Sequence, residues 1–230
     1  MRIVILTGAG ISAESGLGTF RDKGGVWSSH DLAEVATPEG FARDPGKVHE
    51  FYNTRRRNML AAEPNAAHFA LCLLEEKLKG EVVVVTQNID DLHERAGSRN
   101  VLHMHGEISR ALCDWCALKW DAPVRMQPGD RCPGCGRTET RPDVVWFGEV
   151  PYHLERIDGL LGAADLFAAI GTSGQVHPAA GFVQVASASG GRTIELNLEP
   201  SEITPFFGEV RLGPATEIVP AWVEGLMGSA

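Results

Sequence analysis

Residues 2–10 of the chain read RIVILTGAG, in which a short β-branched run at residues 2–7 ends in a glycine-rich turn. Its apolar residues follow one another without polar alternation, which is typical of a strand buried on both faces of a sheet. The same pattern recurs at residues 82–86 (VVVVT) and 165–170 (DLFAAI). These three runs predict the central strands of a buried, mostly parallel sheet.

The remaining pattern alternates strands with helices. Further strands are expected at 101–105, 143–147, 192–196 and 209–212, and helices at 45–61, 66–79, 92–96, 152–163, 179–187 and 216–227. This alternation predicts an α/β fold with a doubly wound parallel sheet. We assign residues 1–21, 80–108 and 142–230 to the sheet domain. A helical insertion (22–79) and a cysteine module (109–141) form a smaller inserted domain.

Four of the five cysteines follow the spacing Cys113-x2-Cys116-x15-Cys132-x2-Cys135. Two CxxC pairs separated by a loop of this length can close a tetrahedral site for Zn²⁺. Four thiolates leave no open position for water or substrate, so the ion would be structural. The alternative is four buried or disulfide-paired cysteines.

Composition limits the possible classes of protein. The 230 residues are 43% hydrophobic, which suits a packed globular core, and the net charge is −9. That charge disfavours direct nucleic-acid binding and favours a cationic partner such as a lysine-rich protein segment. The longest apolar runs are too short to span a bilayer, and the N-terminus lacks a signal-peptide pattern. We therefore expect a soluble cytoplasmic protein without a membrane partner and with reduced thiols.

The turn after the first strand is a candidate phosphate site. Gly8 and Gly10 would let a pyrophosphate approach the backbone, and the N-terminus of a following helix would favour its negative charge. The spacing is not a full GxGxxG, so a strand–helix turn without a ligand is the alternative. The lysine of a P-loop is absent, which argues against a nucleoside triphosphate.

Polar residues also follow the other buried strands, where ligands bind in open α/β sheets. They are Gln87, Asn88 and Asp90, then Gly171, Thr172 and Ser173, then Asn197 and Glu199. Together these strand ends predict a dinucleotide cleft, in which Glu199 could accept hydrogen bonds from ribose hydroxyls. Each residue alone could instead be a helix cap or a turn residue.

His103 and His105 are two residues apart, so on a strand both side chains would point to one face. Gly106 leaves space beside His105, and an imidazole that titrates near neutrality suits a general base. A strand histidine with a purely structural role is the alternative.

Together these residues resemble the sirtuin family of NAD-dependent protein-lysine deacylases. The resemblance rests on the four cysteines and on residues 8–22 (GAGISAESGLGTFRD), 87–90 (QNID), 103–106 (HMHG), 144–149 (VVWFGE), 171–178 (GTSGQVHP) and 197–201 (NLEPS). It covers nearly the whole chain in the family's order. It implies a Rossmann-like domain with a small zinc-and-helix domain, NAD as a consumed co-substrate, one structural Zn²⁺ and acylated-lysine proteins as substrates.

The resemblance also implies roles for individual residues. His105, rather than His103, would be the catalytic base: it would take a proton from a ribose hydroxyl after the acyl oxygen has displaced nicotinamide. The products would be lysine, nicotinamide and O-acyl-ADP-ribose. The implied cofactor contacts are Gly8, Ala9, Gly10, Ser12, Phe20, Arg21, Trp27, Gln87, Asn88, Asp90, Gly171, Thr172, Ser173, Asn197, Glu199 and Ala215. Val145, Phe147 and Gly148 would form a strand that pairs with the substrate peptide.

Tyr52 and Arg55 are three residues apart and therefore share one face of the helix expected at 45–61. This YxxR resembles the motif of sirtuins that remove succinyl and malonyl groups, in which a guanidinium and a phenol bind the acyl carboxylate. The alternative is that residues 55–57 form a solvated basic surface.

Two other functions remain open at this point. The chain could be a non-catalytic module that senses NAD or ADP-ribose, or a protein ADP-ribosyltransferase that uses the same NAD cleavage. His105 argues against the first, because a sensor needs no base beside the nicotinamide ribose.

Overall fold

The computed structural model describes residues 1–19 and 32–228. The strands are β1 (Arg2–Thr7), β2 (Glu81–Thr86), β3 (Val101–His103), β4 (Gly106–Cys113), β5 (Lys119–Asp121), β6 (Thr140–Val144), β7 (Leu166–Ile170), β8 (Arg192–Asn197) and β9 (Glu209–Leu212). The helices are α1 (Leu32–Val35), α2 (Pro38–Arg43), α3 (Pro45–Ala61), α4 (Ala66–Lys77), α5 (Leu92–Arg95), α6 (Leu154–Leu161), α7 (Phe182–Ala188) and α8 (Ala215–Gly228). Within the described ranges, no helix has the length and apolarity needed to cross a membrane.

Six strands form one parallel sheet in the order β3-β2-β1-β7-β8-β9. Side chains alternate between its faces: Val4 and Leu6 pack with α6 and α7, whereas Ile3 and Ile5 pack with α4 and α8. All four are fully buried, which explains why the strand pattern contains no polar alternation. The predicted doubly wound, Rossmann-like sheet is confirmed.

The small sheet differs from the prediction. β4 pairs antiparallel with both β5 and β6, in the order β5-β4-β6. The strand expected at 143–147 is therefore wrong in its bounds, because β6 ends at Val144, and it lies outside the parallel sheet. β5 has three residues and β4 contains an irregularity between Glu107 and Ala111, so neither shows a regular alternation.

Helix α4 packs on the parallel sheet. Its residues Ala67, Leu71 and Leu74 belong to the same buried cluster as Ile3 and Ile5. The sequence-based division placed this helix in the insertion at 22–79. We propose that the helical insertion ends before α4, near the Asn65 side chain that accepts a hydrogen bond from Ala67 N at 3.0 Å.

Helix α3 carries the candidate acyl-binding pair, and its position is closely determined. Its N-cap is Asp44, which accepts a hydrogen bond from Lys47 N at 2.9 Å, and Pro45 occupies the first helical turn. Further along, Arg56 is 2% exposed and donates from Nε to Ile108 O at 2.7 Å. Asn53 donates to Met126 O at 2.8 Å. Helix α3 is thereby attached both to β4 and to the segment between the cysteine pairs.

Candidate active site

A cavity of about 750 Å³ opens at the carboxyl ends of β1, β2, β7 and β8. Every described residue of the predicted cofactor, acyl and catalytic sets lines it: Gly8, Ala9, Gly10, Ser12, Tyr52, Arg55, Gln87, Asn88, Asp90, His105, Val145, Phe147, Gly148, Gly171, Thr172, Ser173, Asn197, Glu199 and Ala215. Phe20, Arg21 and Trp27 lie outside the described residues. The structure therefore brings together side chains that are up to about two hundred residues apart in sequence.

The glycine-rich turn differs in detail from the expected strand–helix turn. Up to Thr19, two single-turn 3-10 helices, Ala9–Ile11 and Ala13–Ser15, follow β1 in place of an α-helix. An ideal Cβ on Gly10 would lie 2.6 Å from the Cα of Gly171, and one on Gly8 would lie 2.7 Å from the carbonyl oxygen of Gly171. The glycines are thus needed for close contact between the loops after β1 and β7. The resulting backbone cradle can accommodate a dinucleotide.

We expect Gly10→Ala to lower the free energy of unfolding by about 1–3 kcal/mol, because the methyl group would separate these two loops. Denaturant unfolding and NAD-binding calorimetry measure the effect, and NAD affinity should fall as well. Gly159→Ala is the matched control, since a Cβ there meets nothing within 4 Å and Gly159 lies inside α6. Equal stability of the Gly10 and Gly159 variants would contradict the explanation.

The polar strand ends form hydrogen bonds with one another around the cavity. Gln87 Nε2 donates to Thr172 Oγ1 at 3.0 Å, and Asn197 Nδ2 donates to Thr172 O at 2.8 Å. Ser12 Oγ donates to Asp90 Oδ2 at 3.2 Å. Burial raises the pKa of Asp90, while its hydrogen bonds from Leu92 N and Ser12 lower it. These side chains are consequently pre-positioned to receive a polar ligand.

Two buried histidines beneath the cavity were not predicted. His93 Nε2 lies 3.1 Å from Thr7 Oγ1, and His68 Nε2 lies 3.4 Å from Ser12 Oγ. Burial lowers the pKa of His68 to about 4 and that of His93 well below its usual value, so both are neutral near pH 7. The one sequence signal was the position of His68 three residues after Asn65, where it completes a capping box.

The two candidate histidines have different surroundings. β3 ends at His103, so the expectation that both histidines point to one face of a strand is wrong. His103 lies 3.2 Å from Asn88 O through Nδ1 and 2.8 Å from Glu94 Oε1 through Nε2. His105 lies in the following turn, lines the cavity, and has its Nδ1 3.1 Å from Gln87 O.

The hydrogen bond from His105 determines its tautomer. A carbonyl oxygen only accepts, so Nδ1 carries the proton and Nε2 presents a lone pair. Burial lowers the pKa of His105, and the hydrogen bond to Gln87 partly offsets this. Its imidazole is therefore neutral at pH 7 and can accept a proton in the cavity.

Tyr52 and Arg55 line the same cavity from α3. Tyr52 is 1% exposed, and burial raises its pKa to about 12. Arg55 is half-buried and its guanidinium lies 5.7 Å from the Phe51 ring centroid. Arg56 is buried, so a solvated basic surface at 55–57 describes only Arg57. A guanidinium and a protonated phenol therefore border the same cavity.

After β6, residues 145 and 146 have no regular secondary structure and residues 147 and 148 form a turn, so the pairing of this segment with a substrate peptide stays a prediction. Val145 N donates to His105 O at 2.9 Å, and Phe147 N donates to Ala36 O at 2.9 Å. Trp146, which lies between them, also lines the cavity. Sequence reasoning missed Trp146, because the resemblance at residues 144–149 assigned roles only to Val145, Phe147 and Gly148.

The four cysteines converge at one end of the small sheet. Their sulfur atoms all lie within 4.8 Å of one another, and Cys113–Cys135 and Cys116–Cys132 are each separated by 3.7 Å. Four sulfurs around Zn²⁺ at about 2.3 Å would be about 3.8 Å apart, so the donor set fits this ion. None of the four forms a disulfide. The prediction of a structural zinc site agrees with this geometry.

Comparisons with known proteins give a consistent result. The model of the Sir2 family matches residues 8–178. The chain is 56% identical to an NAD-dependent protein deacylase of Caulobacter vibrioides, over 99% of this chain and 97% of that protein. It is 52% identical to one of Leishmania major, over 98% and 95%. A solved Sir2 homologue in complex with NAD superposes with a TM-score of 0.91 at 39% identity, over 99% of this chain and 90% of that one. The chain therefore belongs to the Sir2 family.

Proposed function

We propose that the protein is an NAD-dependent protein-lysine deacylase that releases nicotinamide and O-acyl-ADP-ribose. The observation that carries this proposal is the position of His105, which lines the cavity at the carboxyl ends of the sheet while its Nδ1 is hydrogen-bonded to Gln87 O, so that Nε2 is left to accept a proton. The names of the relatives from Caulobacter vibrioides and Leishmania major support it.

Different walls of the cavity would bind different parts of NAD. Gly8, Ala9 and Gly10 would contact the pyrophosphate, because the two glycines have no side chains to keep it away from the backbone. Gln87, Asn88 and Asp90 would hold the nicotinamide half, and Thr172, Ser173 and Asn197 the adenosine half. NAD supplies the electrophilic anomeric carbon, and His105 would accept the ribose hydroxyl proton at Nε2.

Acidic acyl groups are the proposed preferred substrates. Arg55 can donate two parallel hydrogen bonds to a carboxylate, and the protonated Tyr52 hydroxyl can donate a third. A succinyl or malonyl group carries that carboxylate, whereas an acetyl group does not.

We also propose that the substrates are acylated-lysine proteins of the cytoplasm, where the zinc-binding thiols stay reduced. The net charge of −9 disfavours direct nucleic-acid binding.

Arg55→Met tests the acidic-acyl assignment. Charge-assisted hydrogen bonds contribute about 1.5–3 kcal/mol each, so kcat/KM for a succinyl-lysine peptide should fall about tenfold to a few hundredfold. The value for the acetyl-lysine peptide should fall far less, because an acetyl group offers no carboxylate. Mass spectrometry of both peptides with NAD measures the two rates.

Arg57→Met is the matched control for this experiment. Arg57 lies on the same helix but is exposed, and it donates to Thr54 Oγ1 at 2.9 Å. Its replacement should leave the ratio of the two kcat/KM values unchanged. Equal losses on both peptides in Arg55→Met would retire the acidic-acyl assignment, and nicotinamide release without deacylated peptide would favour ADP-ribosyl transfer instead.

A further inference from the structure

The Tyr52 hydroxyl has a defined neighbour inside the protein. Trp146 Nε1 lies 2.9 Å from the Tyr52 oxygen. The two residues are 3% and 1% exposed, respectively, and both line the large cavity. This contact joins helix α3 to the segment after β6 and is shielded from water.

The chemistry of this contact determines where the phenol proton points. An indole N–H only donates, so the Tyr52 oxygen accepts this hydrogen bond. The hydroxyl hydrogen of Tyr52 must then point away from Trp146. Because burial raises the pKa of Tyr52 to about 12, that hydrogen is present at neutral pH.

The indole is itself closely restrained. The Arg141 guanidinium lies 4.2 Å from the Trp146 ring centroid, and the Phe41 ring lies 5.1 Å from it. Glu149 accepts a hydrogen bond from Trp146 N at 2.8 Å and another from Arg141 at 2.6 Å. Ring and backbone of Trp146 are both fixed, so its N–H has little freedom to follow a rotating phenol.

We propose that Trp146 is a positioning residue for acyl selectivity: its indole N–H occupies the Tyr52 oxygen and so directs the Tyr52 hydroxyl hydrogen toward the carboxylate of an acidic acyl group. The inference rests on the proposed acidic-acyl function. It assigns Trp146 an indirect role, in which its hydrogen bond to Tyr52 orients the hydroxyl without contacting the acyl group. Trp146 acts through Tyr52, so its effect must disappear when the Tyr52 hydroxyl is absent.

A double-mutant cycle of Trp146→Phe and Tyr52→Phe tests this dependence. Trp146→Phe should lower the ratio of desuccinylation to deacetylation, measured as kcat/KM, by about threefold to tenfold, mainly through the KM of the succinyl peptide. In the Tyr52→Phe background, the same replacement should leave that ratio unchanged. An equal fall in both backgrounds, or no fall in the wild-type background, would overturn the proposal.

Trp222→Phe is the matched control. Trp222 is also 3% exposed, but it lies on α8 in the cluster beneath the sheet. Its replacement should lower thermal stability and leave the selectivity ratio unchanged. A similar fall in the ratio for both tryptophan variants would show a general packing effect and would overturn the specific role of Trp146.

An NMR measurement covers the case in which Trp146→Phe does not fold. The indole N–H signal of Trp146 should shift and exchange faster with solvent in Tyr52→Phe, because its acceptor is lost. An unchanged signal would contradict the proposed hydrogen bond. Arg55→Met distinguishes failure of the acidic-acyl function from failure of the role of Trp146. If Arg55→Met changes selectivity while the double-mutant cycle shows no coupling, only the role of Trp146 fails.

Discussion

Replacing His105 with alanine is expected to slow deacylation by about 10²- to 10⁴-fold, the usual effect of removing a general base. NAD affinity should change little, because the imidazole is proposed to accept a proton and the dinucleotide is bound by the surrounding strand ends. The Nδ1 contact of 3.1 Å to Gln87 O supports this assignment, since it leaves Nε2 available. Single-turnover kinetics and calorimetry with NAD measure the two effects separately.

His103→Ala is the matched control, because His103 contacts Asn88 O and Glu94 and does not line the cavity. His103→Ala should reduce the rate much less than His105→Ala, and the opposite order of the two effects would refute the assignment of the base.

The pH profile is a second readout of the same assignment. Because the pKa of His105 is lowered, activity should be lost as the pH falls below the usual histidine value of about 6.5. Loss of activity that already begins above that pH would contradict the assignment of His105 as a base that is neutral at pH 7.

Cys132→Ala is expected to lower the melting temperature and the activity together. Structural zinc sites contribute on the order of 10–16 kcal/mol at neutral pH, so losing one ligand should unfold the small sheet. The damage should reach the acyl pocket, because Asn53 and Arg56 of α3 donate to Met126 O and Val124 O between the cysteine pairs. Differential scanning calorimetry, zinc analysis and peptide turnover measure these effects.

Cys72→Ala is the control for the zinc prediction, because Cys72 is the fifth cysteine and lies outside the cluster. It should retain one zinc ion per chain and nearly unchanged turnover. A metal-free Cys132→Ala protein with unchanged stability and turnover would show that the site is not structural.

Local patterns predicted the secondary structure where it depends on short-range physics. Helix α3 spans the expected residues 45–61, and β1 and β9 also begin and end where expected. The small sheet escaped prediction because its pairs join distant segments: Gly106 pairs with Val144 and Cys113 with Thr140. The packing of helix α4 on the parallel sheet could not be predicted, because an amphipathic pattern reveals an apolar face without revealing what covers it.

The candidate site shows the same division. The strand-end residues could be identified in sequence because parallel strands present their carboxyl ends at one edge. His93 and Trp146 could not be identified, since each depends on contacts between separate elements, and His68 was indicated only by its place in the capping box with Asn65. Trp146 and Tyr52 are 94 residues apart, and only packing places their polar atoms at 2.9 Å.

The amino-acid sequence by itself determined the parallel α/β sheet, the four thiolate ligands, the glycine turn and the presence of His105 and the Tyr52–Arg55 pair. These depend on periodicity and spacing, which act over a few residues. Only the tertiary structure decided the tautomer of His105, the contact of Gly8 and Gly10 with Gly171, and the direction of the Tyr52 hydroxyl. Each of these depends on a buried polar or steric contact between chain segments that meet only when the core has packed.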